Sequence, residues 1–407
     1  MTDSRTPAAV TEPGEPTEEL PAAGSDAVVF ASPQRTLWGT GEAIRIELPA
    51  PWPDHIGNVA EVLGAVSHDG PSGPGRGPVA FGALPYDGSA AATLVVPQVV
   101  HGRTSDGDRW TTRTDGAGAS TSIPVEDRAP LRQPSTVVVQ ATNPIEWMRT
   151  VATATTRIAI GELTKVVLAR EITVTADRPF DAVSLLHRLR ALSPSAYAYA
   201  VDGFVGATPE LLVSRLGDVV RAHPMAGTLP RTGDPDVDAR RAGELLGSHK
   251  NRVEHQITID MVHETLLPWC SYLDAEPEPS VVAAGPVQHL ATLVEGRLSR
   301  PEPSVLDLVA ALHPTPAVGG WPRAAALQVQ AELDRTDRGR YGGPVGWVDA
   351  AGNGAFGVGI RGAQLDADAR TARVFAGVGV VDGSDPAAEL EEARSKAQAV
   401  LSALTRV

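Results

Sequence analysis

Lysine is the scarcest charged residue of this chain. Only three of its 35 basic residues are lysines, at positions 165, 250 and 396, and the others are arginines. An ammonium group can be desolvated into a neutral base, whereas a guanidinium keeps its proton in proteins. Lys165 is the strongest candidate for such a role, because it begins the strand-like run 165–174. A solvated strand end is the ordinary alternative.

Cysteine and long apolar runs are also nearly absent. The single cysteine, Cys270, cannot form an internal disulfide, and one thiol is too few for a Cys-rich zinc site. No run of about 18 apolar residues is present, and the N-terminus lacks the basic and apolar segments of a secretory signal. We therefore expect a cytoplasmic protein.

Clusters of positive charge are missing as well. The net charge is −14, and no run rich in Lys and Arg occurs. Nucleic acids and anionic membranes attract proteins through basic patches, so neither is expected as a partner. The hydrophobic content of 42% and the charged content of 21% are ordinary for a globular protein.

The order of segments predicts one large domain behind a short tail. Residues 1–25 are rich in Pro, Glu, Thr and Ala and hold few large apolar groups, so we predict a disordered tail. From 26 to 407, strand-like and helical runs alternate irregularly, which favours a single α+β domain over a doubly wound one. Helices are predicted at residues 144–160, 181–192, 236–267, 304–312, 323–333 and 386–404.

Acidic residues mark two of these helices. Glu389, Glu392 and Lys396 are spaced i, i+3, i+7 on the last helix, so they share one face. Two carboxylates on one face suit a hard cation such as Mg²⁺. Glu254, on the helix predicted at 236–267, could supply a facing carboxylate. A solvated helix surface with internal ion pairs is the alternative.

Two further features suggest acid chemistry and anion binding. Glu210 follows the extended turn at Thr208–Pro209 and precedes apolar residues, where burial would raise its pKa and make it a general acid. Arg361, at the end of a glycine-rich strand, is suited to clamp a carboxylate.

Gly227 and Thr228 offer backbone and hydroxyl donors for a carboxylate. Gly377 lies in a strand whose glycines suggest close backbone approach to a ligand, and a lone His289 is ordinarily a hydrogen-bonded structural histidine.

Together, in this order and spacing, these segments resemble the chorismate-utilising enzymes, which include isochorismate, salicylate and anthranilate synthases and aminodeoxychorismate synthase. At least seven segments match across residues 140–407. The resemblance implies a large α+β fold in which two antiparallel sheets pack together with helices outside. It also implies Mg²⁺-dependent attack on chorismate.

The resemblance implies roles for the candidate residues. Glu254 and Glu392 look like direct Mg²⁺ ligands, with Glu389 close by, and the metal would hold the ring carboxylate of chorismate. Lys165 resembles the general base that activates water, and Glu210 the general acid. The remaining site residues would bind substrate, and they are Gly227, Thr228, His289, Arg361, Gly377 and Lys396.

The branch of the family is indicated by one missing lysine. Aminodeoxychorismate synthases commonly carry a nucleophilic lysine where this chain has Ala226. The run 223–228, His-Pro-Met-Ala-Gly-Thr, looks most like the water-using enzymes, and isochorismate synthase is the closest match. Salicylate synthase, anthranilate synthase component I and a catalytically dead scaffold of the same fold are the alternatives.

The resemblance also sets expectations about assembly and pathway. Relatives are often monomers, so we expect a monomer. Isochorismate synthases serve siderophore or menaquinone pathways, so an enzyme that consumes isochorismate is the expected downstream partner.

Overall fold

The chain folds into three antiparallel sheets and eight α-helices within the residues that the computed structural model describes: 27–114, 134, 136–334 and 336–405. The tail predicted for residues 1–25 lies outside this part. The strands are β1 Val28–Ala31, β2 Arg35–Thr40, β3 Ile44–Leu48, β4 His68–Asp69, β5 Val79–Ala83, β6 Ala92–Val96, β7 Val99–Thr104, β8 Arg109–Thr114, β9 Val137–Ala141, β10 Lys165–Ala176, β11 Tyr197–Val201, β12 Phe204–Thr208, β13 Leu211–Leu216, β14 Val219–His223, β15 Met225–Pro230, β16 Cys270–Ala275, β17 Ser280–Ala284, β18 Val287–Ala291, β19 Val294–Leu298, β20 Gly320–Trp321, β21 Pro344–Asp349, β22 Gly354–Val358, β23 Gly362–Leu365 and β24 Thr371–Val380.

The helices lie between these strands. Short 3₁₀ turns at Trp52–Asn58 and Leu267–Trp269 accompany them. No helix in the described ranges is long and apolar enough to cross a membrane. The α-helices are α1 Val59–Gly64, α2 Pro144–Ala159, α3 Ala182–Leu192, α4 Pro235–Gly247, α5 His249–Leu266, α6 Val305–Leu312, α7 Arg323–Leu333 and α8 Pro386–Thr405.

The two large sheets form the centre of the molecule. The first has twelve strands, in the order β20-β10-β24-β23-β12-β11-β1-β2-β7-β8-β4 with β9 also paired to β10. The second has nine, in the order β16-β19-β14-β13-β22-β21-β5-β6-β3, and β15, β18 and β17 make a small third sheet. The predicted α+β fold with two packed antiparallel sheets is confirmed, and the small sheet adds to it.

Three apolar cores hold these layers together. Between the sheets, Phe30 and Tyr199 of the first pack with Phe81 and Trp347 of the second. The outer face of the first sheet is covered by α2, α3, α7 and α8, and that of the second by α1, α5 and α6. Each fully buried large apolar side chain contributes about 1.5–3 kcal/mol, so this helix–sheet–sheet–helix stack is held mainly by burial.

Helix ends follow local capping chemistry. Asn143 accepts hydrogen bonds from the backbone of the first turn of α2, and Pro144 occupies the first helical position. The prediction of a single helix at 236–267 is wrong, because the chain forms two helices there, α4 and α5, which are separated at Ser248. The Ser248 side chain caps α5 by accepting a hydrogen bond from Asn251. Such a hydroxyl satisfies a free N–H group and starts a new helix.

The site is positioned by two places where the chain crosses between the large sheets. One crossover links β12 to β13 and contains Glu210. The other links β22 to β23 and contains Arg361, whose φ of 57° is in the left-handed region. Both residues therefore lie at the boundary of the two sheets. The sequence patterns of the flanking strands do not show this, because they do not indicate to which sheet each strand belongs.

A buried polar network fixes the neighbouring strand β10. The Arg338 guanidinium donates to the Val167 carbonyl at 2.6 Å and to the Val318 carbonyl at 3.0 Å, and it pairs with Asp334. Gln330 donates to the same Val167 carbonyl at 2.8 Å. Because these groups are buried, each depends on its partners for the hydrogen bonds that water would otherwise supply.

Removing one member of this network should be costly. Arg338→Met leaves the Asp334 carboxylate buried without its partner, and breaking a buried pair in this way costs about 3–5 kcal/mol. We expect a decrease of that size in the free energy of unfolding, measured by guanidinium denaturation. Arg297→Met is the control, since its ion pair with Asp218 is exposed and its loss should have little effect. Equal stabilities for the two variants would contradict the assigned role.

Candidate active site

One cleft collects most of the predicted site residues. It occupies about 560 Å³, including the part open to solvent. Strands β10 and β24 of the twelve-stranded sheet, the small sheet, the two crossovers and helices α5 and α8 contribute to its wall. Nine of the eleven predicted residues line it, and Glu389 and Glu392 do not. The nine are Lys165, Glu210, Gly227, Thr228, Glu254, His289, Arg361, Gly377 and Lys396.

Lys165 lies at the buried start of β10. Its side chain is 1% exposed, and its ammonium forms an ion pair with Glu254 of α5 at 2.9 Å. Burial would raise the pKa of Glu254, but the charge and hydrogen bond of Lys165 outweigh it and leave the pKa below its ordinary value. The solvated strand end is therefore excluded for Lys165.

A glycine of β24 makes room for this ion pair. A Cβ at Gly379 would lie 2.5 Å from the Glu254 carboxylate and 3.0 Å from the Lys165 side chain. No larger residue fits there without displacing one of the two charged groups. The glycines of this strand thus mark close approach of side chains to the backbone, as the sequence indicated.

Glu210 is the one carboxyl of the cleft that has no ion-pair partner among the described residues. It is 3% exposed at the crossover between the sheets. Burial raises its pKa to about 8, although the Met225 backbone and the charges of Lys165, Arg361 and Lys396 act in the opposite direction. Glu210 is consequently protonated at neutral pH and can donate a proton, as the sequence predicted.

Arg361 and His289 form a connected donor chain. Arg361 Nη2 donates to His289 Nε2 at 3.1 Å. Since a guanidinium only donates, His289 must carry its proton on Nδ1, which lies 3.0 Å from Thr228 Oγ1 and 3.3 Å from the Gly227 carbonyl. Burial, followed by the charges of Arg361 and Lys396, holds the pKa of His289 well below its ordinary value, so the ring is neutral.

One donor of this chain is left unused. Arg361 Nε is buried and has no hydrogen-bond partner in the described part of the chain. A buried guanidinium nitrogen without a partner is costly, so a ligand oxygen in the cleft would satisfy it. This supports a carboxylate-binding role for Arg361.

Tyr341 is a cleft residue to which the sequence analysis assigned no role. Its ring stacks on Phe375 with centroids 5.2 Å apart, and its hydroxyl lies so close to Gly377 that a Cβ there would be 2.7 Å away. Burial raises the pKa of Tyr341, so its hydroxyl stays protonated and can donate to an anion. The Gly-Gly pair that follows, at 342 and 343, was the available signal of a tight turn beside a functional residue.

Helix α8 carries the remaining predicted residues. The Lys396 ammonium lies 2.6 Å from the Glu392 carboxylate and donates to the Gly377 carbonyl at 3.1 Å. Glu389 is buried, and the Lys250 ammonium lies 3.7 Å from it. Burial and then the neighbouring charge of Glu392 raise the pKa of Glu389 to about 7. The carboxylates of Glu389 and Glu392, one helical turn apart, therefore repel each other when both are ionised.

The three acidic residues predicted to bind metal are each paired with a lysine. Within the described ranges, no three His, Cys, Asp or Glu side chains are arranged as a metal site. The donor chemistry still fits Mg²⁺, because all three groups are carboxylates and the like charges of Glu389 and Glu392 repel each other. A divalent cation would relieve this repulsion.

Comparisons with known proteins agree with the fold. The family model of chorismate-binding enzymes matches residues 89–405. Isochorismate synthase DhbC of Bacillus subtilis is 36% identical over 359 residues, covering 86% of this chain and 85% of its own. Isochorismate synthase EntC of Escherichia coli K12 is 34% identical over 378 residues, covering 91% and 93%.

A solved structure shares the fold. MenF, the menaquinone-specific isochorismate synthase from Escherichia coli, aligns with a TM-score of 0.78 at 24% identity, over 93% of this chain and 88% of that chain. The layered α+β fold is thus shared with this solved structure. The chain belongs to the family of chorismate-binding enzymes, and the resemblance inferred from its motifs is confirmed.

Proposed function

We propose that this protein is an isochorismate synthase, an isomerase that adds a hydroxyl group from water at C2 of chorismate and removes the hydroxyl group at C4. The observation that supports this most is that one cleft contains both a buried lysine, Lys165, and a buried, protonated carboxyl, Glu210. Such a pair suits a displacement in which a base and an acid act on different oxygens. The named relatives DhbC and EntC, which match over most of both chains, support the same reaction.

In the proposed mechanism, Lys165 first releases its ammonium proton to solvent. As the neutral amine it then accepts a proton from the water that attacks C2 of the ring. The ring double bonds shift, and the C4–O bond breaks as Glu210 donates a proton to the leaving hydroxyl. One C–O bond forms and one breaks, so substrate and product are isomers. Lys165 and Glu210 exchange protonation states during the step, and the same two residues serve the reverse reaction.

The other cleft residues orient the substrate. Arg361, with its unused Nε donor, and the Tyr341 hydroxyl would bind the carboxylate of the enolpyruvyl arm near Gly377. Thr228, Gly227 and the neutral His289 would line the ring. These contacts hold the ring so that C2 faces the attacking water.

Mg²⁺ is the proposed cofactor. Glu254 and Glu392 would hold it directly with Glu389 nearby, and it would supply a positive charge that binds the ring carboxylate of chorismate. Lys396 would balance the remaining negative charge. The carboxylate-only donor set supports this metal.

The nucleophile is proposed to be water because of position 226. The alanine there lines the cleft, and it stands where aminodeoxychorismate synthases commonly carry their attacking lysine. We further propose that residues 26–407 form one catalytic domain, that the protein is a cytoplasmic monomer and that a separate enzyme consumes isochorismate.

Product analysis tests the function directly. The protein would be incubated with chorismate and Mg²⁺, with and without ammonium or EDTA, and the products separated by chromatography with mass detection. We expect partial conversion to an isomer of chorismate, lost with EDTA. Salicylate plus pyruvate would identify a salicylate synthase, anthranilate formed only with ammonium would identify an anthranilate synthase, and no consumption would favour a non-catalytic protein.

Replacing the base should stop catalysis while chorismate still binds. Lys165→Ala should lower kcat at least about 100-fold, since general-base catalysis contributes roughly 10²–10⁴-fold. Lys165→Arg is the matched variant, because it keeps a cation opposite Glu254 but cannot act as a base. Both variants should bind chorismate in a calorimetric titration. Near-normal turnover of Lys165→Arg would show that only the charge is needed.

The raised pKa of Glu210 predicts a loss of activity in alkali. A general acid must be protonated, and Glu210 is protonated below its pKa of about 8 and ionised above it. The profile of kcat/KM, which reports the free enzyme, should therefore fall as pH rises through about 8. Glu210→Gln should lower kcat/KM roughly 10²–10⁴-fold and abolish this limb. An alkaline limb that persists unchanged in Glu210→Gln would assign it to another group.

A further inference from the structure

All three lysines of this chain face the three carboxylates assigned to the metal. Lys165 pairs with Glu254 at 2.9 Å, Lys396 with Glu392 at 2.6 Å and Lys250 with Glu389 at 3.7 Å. The residues of each pair are far apart in sequence or a helical turn apart, so the fold brings three cations and three anions together. Mg²⁺ must therefore compete with an ammonium for each carboxylate.

The three ammonium groups differ in how easily they can be displaced. Lys165 is 1% exposed and is confined beside Gly379. The Lys396 side chain is 12% exposed and also donates to the Gly377 carbonyl. Lys250 lies in the first turn of α5, its side chain is 50% exposed, and it makes the longest of the three pairs. It can turn into solvent with the least loss of contacts.

We infer that Lys250 is a competing counterion that weakens the binding of a divalent cation at Glu389 and must leave when the cation binds. The inference rests on the proposed metal site of the proposed function. An ammonium suits this role better than a guanidinium would, because it is a compact charge on a flexible stem and makes no bidentate fork with the carboxylate. Lys250 therefore sets the metal affinity without contacting the substrate or the reacting atoms.

The consequence is that removing Lys250 should tighten metal binding. A half-exposed ion pair of this kind is weak, so the expected change is about fivefold. Lys250→Met should lower the dissociation constant for Mg²⁺ by about that factor, measured by calorimetric titration of the full chain with MgCl₂ in the absence of chorismate. Lys250→Arg, which restores a cation, should return the affinity close to that of the unmodified chain.

Arg252→Met is the matched control. Arg252 lies two residues further along α5 and pairs with exposed Glu278 at 3.0 Å, so its removal changes the net charge equally without freeing Glu389. Its Mg²⁺ affinity should stay unchanged. If Arg252→Met and Lys250→Met both bound Mg²⁺ more tightly by the same factor, the effect would come from the change in net charge, and the inference would be overturned. An unchanged or weaker Mg²⁺ affinity of Lys250→Met would also overturn it.

A second readout follows the lysine itself. With only three lysines, protein labelled with ¹³C at the lysine ε position gives three side-chain signals, and Lys250→Met identifies one of them. Saturating Mg²⁺ should shift and narrow the Lys250 signal, as expected for release into solvent, and an unaltered signal would contradict displacement. If the unmodified chain binds no Mg²⁺ in the calorimeter, the proposed metal site fails. If it binds Mg²⁺ but Lys250→Met binds no more tightly, only the present inference fails.

Discussion

The structure depends on placing opposite charges next to each other in a cleft, where both are removed from water. Lys165 and Glu254 satisfy each other at 2.9 Å, and either one alone would be a buried, uncompensated charge. The glycine at 379 leaves the space for the pair, and the network around Arg338 holds β10 from the other side through the Val167 carbonyl. The proposed base on β10 and the proposed metal ligand on α5 are thus held in place together.

The second constraint is that the chain passes from one large sheet to the other at the two places that carry Glu210 and Arg361. Glu210 and Arg361 lie on two of the crossovers between the large sheets, and the backbone N–H of Val358 donates to the Glu210 carbonyl at 3.1 Å, which ties these two crossovers together. A carboxyl at this boundary is removed from water on both sides, so it stays protonated, while Arg361 keeps a donor free for an anion. The proposed proton donation by Glu210 and the proposed anion binding by Arg361 therefore depend on the same geometric feature of the fold.

Much of this could be predicted from the sequence, because the signals are local. The Asn143–Pro144 cap, the strand from Lys165 and the helix carrying Glu389 and Glu392 depend on neighbouring residues. The break at Ser248 was missed, since the apolar pattern continues across it and only the serine cap separates α4 from α5. The pairing of Lys250 with Glu389 and the contact of Tyr341 with Gly377 join distant segments, and no local pattern contains them.

The central claim is that a solvent oxygen replaces the C4 hydroxyl. It is tested most directly by running the reaction in H₂¹⁸O with Mg²⁺ and locating the label in the product by mass spectrometry and NMR. The account predicts isochorismate with one ¹⁸O, at C2, from the first turnovers onward. Isochorismate formed without ¹⁸O would mean that the hydroxyl migrates within the substrate, which would contradict the roles of Lys165 and Glu210.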